Sequence, residues 1–252
     1  MERYGIDVSS HQGAINWQKV TADFAILRAG WSWYQGGMNI DTRFIENVAG
    51  AQAAGIPWGV YLYAYDKTPA AARIAANRLA DLLDTYQVPY PVYYDMEDPQ
   101  YFKTPKADNT AICKAFLEII QARGYYAGLY TFTSFAKSYL DMEQLAAYDL
   151  WIADYTGKVG WTGPYGMWQR SAEGRLEAIG GGKVDVDLNT AYKDYPTIIR
   201  AAGLNGFGET EDLPAKDDLS ARAEALAADN ERLMQEIAAL EEKIAAARRA
   251  LD

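Results

Sequence analysis

Short hydrophobic stretches rich in Tyr, Val, Ile and Trp recur along the first 200 residues, each bounded by Gly, Pro or Asp. This pattern predicts eight β-strands, at residues 3–8, 23–30, 57–65, 90–97, 125–131, 148–155, 164–169 and 183–189. Hydrophobic positions with a helical period lie between the earlier strands, and they predict helices at 41–54, 69–87 and 107–123.

The alternation of strands and helices favours parallel strands joined by right-handed crossovers, and eight such strands suggest a closed barrel. The later segments 156–163 and 170–182 are Gly-rich and have no helical period. We therefore expect an α/β fold, an irregular TIM-like barrel. Its β/α units come first, and its closing strands are joined mainly by loops.

The composition changes after residue 203, so the barrel domain is predicted at 1–203. Residues 204–218 are acidic and contain Pro214, which is typical of a linker. From 219 to 252 a heptad pattern predicts a C-terminal coiled-coil helix.

Self-association is the expected role of that helix. Asn230 at a core position among leucines favours two strands, whereas Glu236 facing Glu241 would repel in a parallel dimer. The alternatives are an antiparallel pair of helices, a helical bundle, and a helix folded back on the barrel. The prediction is a homo-oligomer, with a dimer favoured, through residues 219–251.

The amino-acid composition limits the partners and the kinds of catalysis that are expected of this protein. A net charge of −10 argues against nucleic acid as a partner, because a phosphate-binding protein normally has a basic face. One cysteine, Cys113, and one histidine, His11, leave little for a metal centre or a Ser-His-Asp triad. We therefore predict no metal and no cofactor, and any catalysis should rest on carboxylates.

No hydrophobic run approaches the roughly 20 residues of a membrane span, so no membrane partner is predicted. The N-terminus begins a strand and has no signal-peptide pattern. We expect the protein to stay in the cytoplasm until something releases it. The alternative is a secreted protein whose signal peptide is absent from this sequence.

Two acids, Asp95 and Glu97, lie two positions apart where the hydrophobic strand 90–97 ends. Strand side chains alternate between faces, so the two carboxylates should point the same way, with Cα atoms about 6–7 Å apart. The carboxyl ends of parallel barrel strands form the active face. The pair is therefore a candidate catalytic site, with a structural acid pair as the alternative.

Further acids should join them at the same mouth of the barrel. Asp7 ends the first strand, and Asp185 and Asp187 lie in the last strand, its neighbour in a closed barrel. Mutual repulsion in such a cluster would raise one carboxyl pKa, as a general acid requires. Taken singly, Asp7 and Asp187 could instead be capping or turn residues.

Aromatic residues are dense near the predicted strand ends. Flat rings with polar edges suit sugar faces, and Tyr63, Tyr130 and Trp168 are the candidate substrate-binding residues. Aromatic residues in strands are nevertheless core more often than ligand platform. Arg28, on the second strand, is expected to pair with an acid in the barrel and is a fourth candidate.

Together these segments resemble glycoside hydrolase family 25, the lysozymes of the Chalaropsis type, over about residues 3–200. The motifs that carry the resemblance are Asp7-Val8-Ser9-Ser10-His11-Gln12-Gly13, Asp95-Met96-Glu97, Leu150-Trp151-Ile152-Ala153, Trp168-Gln169 and Val186-Asp187-Leu188-Asn189. The family resemblance implies a (β/α)5(β)3 barrel. It also implies cleavage of the β-1,4 bond between N-acetylmuramic acid and N-acetylglucosamine in bacterial peptidoglycan.

Matched by position, Glu97 corresponds to the family's general acid and Asp95 to its second carboxylate, which stabilises charge or positions the substrate acetamido group. Asp7 and Asp187 correspond to the remaining acids, and Asp187 is preferred to Asp185 because Val-Asp-Leu-Asn is the family-like string. A muramidase with an appended module resembles a phage or prophage endolysin, which waits in the host cytoplasm. A chitinase-like hydrolase and a non-catalytic glycan-binding barrel remain alternatives.

Overall fold

The computed structural model describes residues 2–208. The predicted coiled coil at 219–252 and linker residues 209–218 lie outside this range. Residues 204–208 were also predicted as linker, but they pack on the barrel. Asn205 is fully buried there and its Nδ2 donates to the carbonyl oxygens of Val88 and Tyr90, each at 2.8 Å. The compact unit therefore runs to Gly208 and not to residue 203.

Nine strands form one sheet within residues 2–208. They are β1 (Arg3–Val8), β2 (Phe24–Ser32), β3 (Met38–Ile40), β4 (Trp58–Tyr63), β5 (Val92–Asp95), β6 (Ala127–Phe132), β7 (Asp149–Ala153), β8 (Met167–Gly174) and β9 (Val186–Ala191). All except β3 form a closed barrel, in which β1 pairs with both β2 and β9. The predicted irregular barrel is confirmed, and β3 adds a hairpin to the edge of β2.

The direction of the strands explains why the barrel is irregular. Strands β1, β2 and β4 to β8 are parallel, whereas β9 runs antiparallel to both of its neighbours. The start of β9 therefore lies at the same mouth as the carboxyl ends of the other strands. Side chains at the beginning of the last strand can thus join residues from the ends of the first strands.

Five α-helices are present in this part of the chain: α1 (Phe44–Ala53), α2 (Pro69–Leu83), α3 (Lys106–Ala122), α4 (Thr133–Tyr139) and α5 (Tyr195–Ala201). The first three were predicted from their period. The last two span seven residues each, too few for the period to show. No helix among residues 2–208 is long and hydrophobic enough to cross a membrane.

Helix α2 illustrates how the sequence sets its own boundaries. The Thr68 side chain accepts a hydrogen bond from the Ala71 N–H at 3.1 Å, and Pro69 occupies the first helical turn, where no N–H donor is needed. Its small residues Ala72, Ala75 and Ala76 are buried, together with Leu79 and Leu83. This small-residue face allows α2 to pack closely beside α3.

The barrel interior is filled by aromatic rings, while aliphatic residues fill the space between strands and helices. Trp151 lies at the centre of the inner layer, with ring centroids 4.4 Å from Tyr130 and 5.1 Å from Tyr93. Gly128 makes room for this packing, because a Cβ there would lie 2.4 Å from the Tyr93 ring.

The mouth opposite the candidate acids is closed by a buried charge. The Asp149 carboxylate accepts hydrogen bonds from the hydroxyls of Tyr93 at 2.9 Å and Tyr195 at 2.6 Å, and from Lys193 Nζ at 2.5 Å. Its side chain is fully buried, and Lys193 reaches it from the surface. The network ties β5, β7 and α5 together.

We expect Asp149→Ala to lower the free energy of unfolding by about 3–5 kcal/mol, because it leaves buried donors without an acceptor. Urea unfolding measures this change. The matched control is Glu46→Gln, which removes an exposed ion pair with Arg43 and should change stability by less than about 1 kcal/mol. An Asp149→Ala variant as stable as the control would contradict the role of the network.

Candidate active site

Four carboxylates from three strand ends meet in a cavity of about 260 Å³. Asp7 lies in β1, Asp95 is the last residue of β5, Glu97 follows two residues later, and Asp187 is the second residue of β9. The β1–β9 register places Asp7 directly opposite Asp187. The predicted grouping of these acids at one mouth is therefore what the structure contains.

Asp7 is the most enclosed of the four. Its Oδ2 accepts hydrogen bonds from Asn189 Nδ2 at 2.7 Å and from Gln169 Nε2 at 2.9 Å. Burial, and next the negative charge of Asp187, hold the pKa of Asp7 well above its usual value, and the two amide donors only partly oppose this. Asp7 is thus held firmly in place at the floor of the cavity.

Strand β5 ends at Asp95, two residues before the predicted end of the strand at residue 97. The chain nevertheless keeps alternating, because Met96 is buried in the outer core while Asp95 and Glu97 both line the cavity. Met96 is fixed there by backbone contacts: its N–H donates to Tyr130 O at 3.1 Å and its carbonyl accepts from Thr131 Oγ1 at 2.7 Å. The expected common direction of the two acids is therefore preserved.

The Asp95 carboxyl is buried, and its Oδ1 has no hydrogen-bond partner among the described residues. Burial first, and then the charges of Glu97 and Asp7, raise its pKa well above the usual value, while the Arg28 guanidinium acts in the opposite direction. A buried carboxyl oxygen without a donor is ready to accept one from a bound ligand.

Glu97 is the acid best suited to give up a proton near neutral pH. Burial, and in addition the charges of Asp187 and Asp98, raise its pKa to about 7, although interaction with the Tyr130 hydroxyl opposes the rise. At neutral pH the carboxyl is then protonated in a large fraction of molecules. That is the state a general acid needs before it acts.

The last strand contains two acids, and the structure separates them. Asp187 lines the cavity, and burial raises its pKa. The Asp185 side chain is exposed and pairs with Arg175, while its carbonyl accepts from Gln12 Nε2 at 3.1 Å. Asp187 is thus the acid of the pocket, as preferred from the sequence, and Asp185 is a surface ion-pair partner.

Arg28 lines the cavity, but the acid with which it pairs is not one of the four carboxylates of the cavity. Its Nε donates to Asp41 Oδ2 at 2.7 Å and its Nη2 to Ser10 Oγ at 2.9 Å. Although burial works the other way, the N–H groups of Arg43 and Ser10 and this guanidinium hold the pKa of Asp41 below its usual value. Arg28 is therefore a fixed positive charge beside carboxylates that it does not neutralise.

The aromatic candidates divide into two groups. Tyr63 and Tyr130 line the cavity, as predicted. Trp168 does not, because it faces the outer core and its Nε1 donates to Asp154 O at 2.9 Å. Its neighbour Gln169 enters the cavity in its place. Alternation along β8, with Met167 inside the barrel, is the sequence signal that could have assigned Gln169 to the interior.

Other residues of the cavity were not among the predicted site residues. They are aromatic or polar side chains from the inner faces of several strands and from the segments that follow them: His11, Tyr61, Phe132, Trp151, Tyr155 and Gln169. An adjoining cavity of about 350 Å³ shares His11, Arg28 and Tyr63 and adds Trp31 and Tyr65. The cleft therefore continues from the acids toward the β2–β3 hairpin. Such an extended shape suits a polymer.

A closed barrel with unequal acids at one mouth and rings around them defines a carboxylate-based carbohydrate hydrolase. A model of glycosyl hydrolases family 25 matches residues 6–179, and the chain belongs to that family. No curated protein matches the chain.

Several solved structures are similar. The modular autolysin LytC from Streptococcus pneumoniae is 27% identical with a TM-score of 0.67, over 76% of this chain and 47% of LytC. The spore cortex lytic enzyme SleM from Clostridium perfringens is 26% identical with a TM-score of 0.66, over 75% and 67%. A Streptomyces coelicolor lysozyme is 25% identical with a TM-score of 0.63, over 81% and 98%. The chain spans about half the length of LytC.

The raised pKa of Glu97 makes stability depend on pH. Its value of about 7 lies above the ordinary 4.5, so the folded state holds this proton more tightly than the unfolded state. The stabilising contribution of protonated Glu97 to the free energy of unfolding is present below pH 4.5 and is lost as pH rises through 7. Charging Glu97 therefore destabilises the fold between these limits.

The wild type should lose about 2–3 kcal/mol more unfolding free energy than Glu97→Gln when the pH rises from 4 to 8, because the amide cannot be charged. Urea titrations at the two pH values measure this difference. Glu118→Gln, at an exposed helix position, serves as the surface control. Equal pH dependence in wild type and Glu97→Gln would contradict the burial of a titrating Glu97.

Proposed function

We propose that this chain hydrolyses bacterial peptidoglycan at the β-1,4 bond between N-acetylmuramic acid and N-acetylglucosamine, with Glu97 as general acid. The observation that carries the proposal is the half-buried Glu97 carboxyl, which shares one cavity with the buried acids Asp7 and Asp95 and whose surroundings raise its pKa to about 7. The similar solved structures support the substrate class. One is a spore cortex lytic enzyme, and another is LytC with a synthetic peptidoglycan ligand.

In the proposed reaction, Glu97 gives its proton to the departing glycosidic oxygen while positive charge develops on the muramic ring. Loss of this proton becomes easier as that charge forms, because opposite charges attract strongly in a buried site. The Tyr63 and Tyr130 rings border the same space and would hold the sugar against the acid.

Asp95 is proposed to act as the partner carboxylate. In the free cavity, burial opposes its ionisation, and only the Arg28 guanidinium among its principal neighbours favours the charged form. The N–H of a substrate 2-acetamido group would supply the donor that Oδ1 lacks, which stabilises the carboxylate. Substrate binding would thereby prepare Asp95 to stabilise the cation, by positioning the acetamido group or by direct attack.

We expect Glu97→Gln to reduce the release of reducing sugars from purified peptidoglycan by at least about 1,000-fold, because no proton reaches the leaving group. Circular dichroism and the unfolding curve check that the fold is retained. A variant with most of its activity would contradict the assignment of the acid. Faster cleavage of chitin oligomers would favour a chitinase-like hydrolase, and wall binding without turnover would favour a glycan-binding barrel.

A pair of variants in β9 and the preceding loop tests which acid belongs to the site. Asp187→Asn should lower kcat/KM by about 100-fold or more, because it removes a charge that faces the reacting centre. Asp185→Asn, two residues away and outside the cavity, should stay within about twofold of the wild type. Steady-state hydrolysis of a soluble muropeptide polymer measures both. Equal losses in the two variants would contradict the placement of Asp187.

Self-association through residues 219–251 and release from a host cytoplasm to the wall stay predictions of the sequence. Linked catalytic barrels would gain retention on the wall by avidity.

A further inference from the structure

The β2–β3 hairpin carries two tryptophans, Trp31 and Trp33, and an irregularity in β2 turns the first of them toward the cleft. Ala29 is buried in the outer core, so strict alternation along β2 would turn Trp31 outward as well. The register of β2 against β4 shifts beside Ala29. Trp31 therefore pairs with Tyr63 and lines the adjoining cavity together with it. Such bulges commonly redirect a side chain next to an active site.

Asn39 of β3 holds both indoles in place. It lies opposite Trp31 in the register of the hairpin. An indole N–H can only donate, so the amide oxygen of Asn39 is the atom that faces the two rings. This oxygen accepts from Trp31 Nε1 at 2.9 Å and from Trp33 Nε1 at 3.0 Å. Because the N–H edges of both rings are occupied, the ring faces are what the hairpin offers to a ligand.

The hairpin is anchored on two sides although its tip is exposed. Ser32, between the two tryptophans, is buried, and its Oγ accepts from the Tyr65 N–H at 2.8 Å. The turn packs on α2, where a Cβ at Gly36 would lie 3.1 Å from Ala71 Cα. Trp33 is nevertheless 48% exposed. A large exposed ring that is already fixed loses little further freedom when a ligand binds.

We propose that the surface formed by Trp31, Trp33 and Asn39, the hairpin site, is a further glycan-binding site. It holds N-acetylhexosamine units of the substrate strand that lie beyond the cavity of the acids. The proposal rests on the proposed function, in which the same strand is cleaved at the acids.

Continuity with the cleft supports a glycan strand as the occupant of the hairpin site. The cavity that Trp31 lines shares His11, Arg28 and Tyr63 with the cavity of the acids. A polymer that leaves the acids along this cleft therefore reaches Trp31 first and Trp33 next. Indole faces suit the nonpolar faces of sugar rings, and stacking on them needs no charge on the ligand.

Hydrolysis of peptide-free glycan strands of increasing length tests the hairpin site. In the wild type, KM should fall once the strands are long enough to reach the hairpin. Trp33→Ala should abolish this decrease, so that KM for long strands rises about tenfold and kcat changes much less, because one stacking ring is lost outside the cavity of the acids. Tyr4→Ala is the matched control, since Tyr4 is an exposed ring near the start of β1, at the opposite mouth.

Two substitutions of Asn39 test whether the fixed orientation of the rings matters. Asn39→Leu keeps both tryptophans and a side chain of similar size but removes the acceptor, so KM for long strands should rise. Asn39→Asp keeps an acceptor oxygen and should restore most of the affinity. Equal losses in the two variants would contradict the shared hydrogen bond as the positioning device.

A Trp33→Ala variant whose KM falls with strand length as in the wild type would overturn the proposal. The same holds if Trp33→Ala changes the sedimentation of the protein while the KM for long strands stays the same, because the hairpin would then contact a second copy of the chain.

Equilibrium binding separates these outcomes from failure of the proposed function. Isothermal titration calorimetry with long peptide-free strands should give an affinity for Glu97→Gln about tenfold higher than for the double variant with Trp33→Ala. Binding that depends on Trp33 in a protein without hydrolytic activity would remove the proposed reaction and keep the hairpin site. An active wild type whose binding does not depend on Trp33 would do the reverse.

Discussion

Repulsion between buried carboxylates at one mouth of the barrel is the constraint on which the site depends. The antiparallel last strand sets Asp187 opposite Asp7, and the end of β5 adds Asp95 and Glu97. In a site shielded from water these acids cannot all be charged at once. Unequal surroundings then decide which acid keeps a proton, and unequal acids are what glycoside cleavage requires.

The surrounding structure supports this strained arrangement in two ways. Aromatic rings fill the interior below the acids, and two of the four, Asp7 and Asp95, are buried. Directed amide groups, Asn189 and Gln169, satisfy Asp7 without neutralising it. At the opposite mouth, Asp149 and its three donors close the barrel away from the candidate site. The stabilising network and the candidate site are thus located at different ends of one fold.

Much of the fold and the four acids could be predicted from the sequence, because the strands show as short hydrophobic stretches and the acids lie at or beside the strand ends. Short helices such as α4 lack enough turns to show a period. Trp168 was preferred to Gln169 because aromatic rings suit sugars. The alternation of side chains along β8 instead directs Gln169 into the cavity and Trp168 to the outer core. The pairing of Arg28 with Asp41 and the burial of Asn205 could not be predicted, because they depend on contacts between segments that only the folded chain brings together.

Identifying the bond that is cut tests the proposed reaction most directly. Purified peptidoglycan digested by the wild-type protein can be reduced with borohydride, and the released muropeptides analysed by mass spectrometry. We expect every new reducing end to be N-acetylmuramic acid, converted to its alditol, and Glu97→Gln to release none. New reducing ends on N-acetylglucosamine, or release that persists in Glu97→Gln, would contradict it.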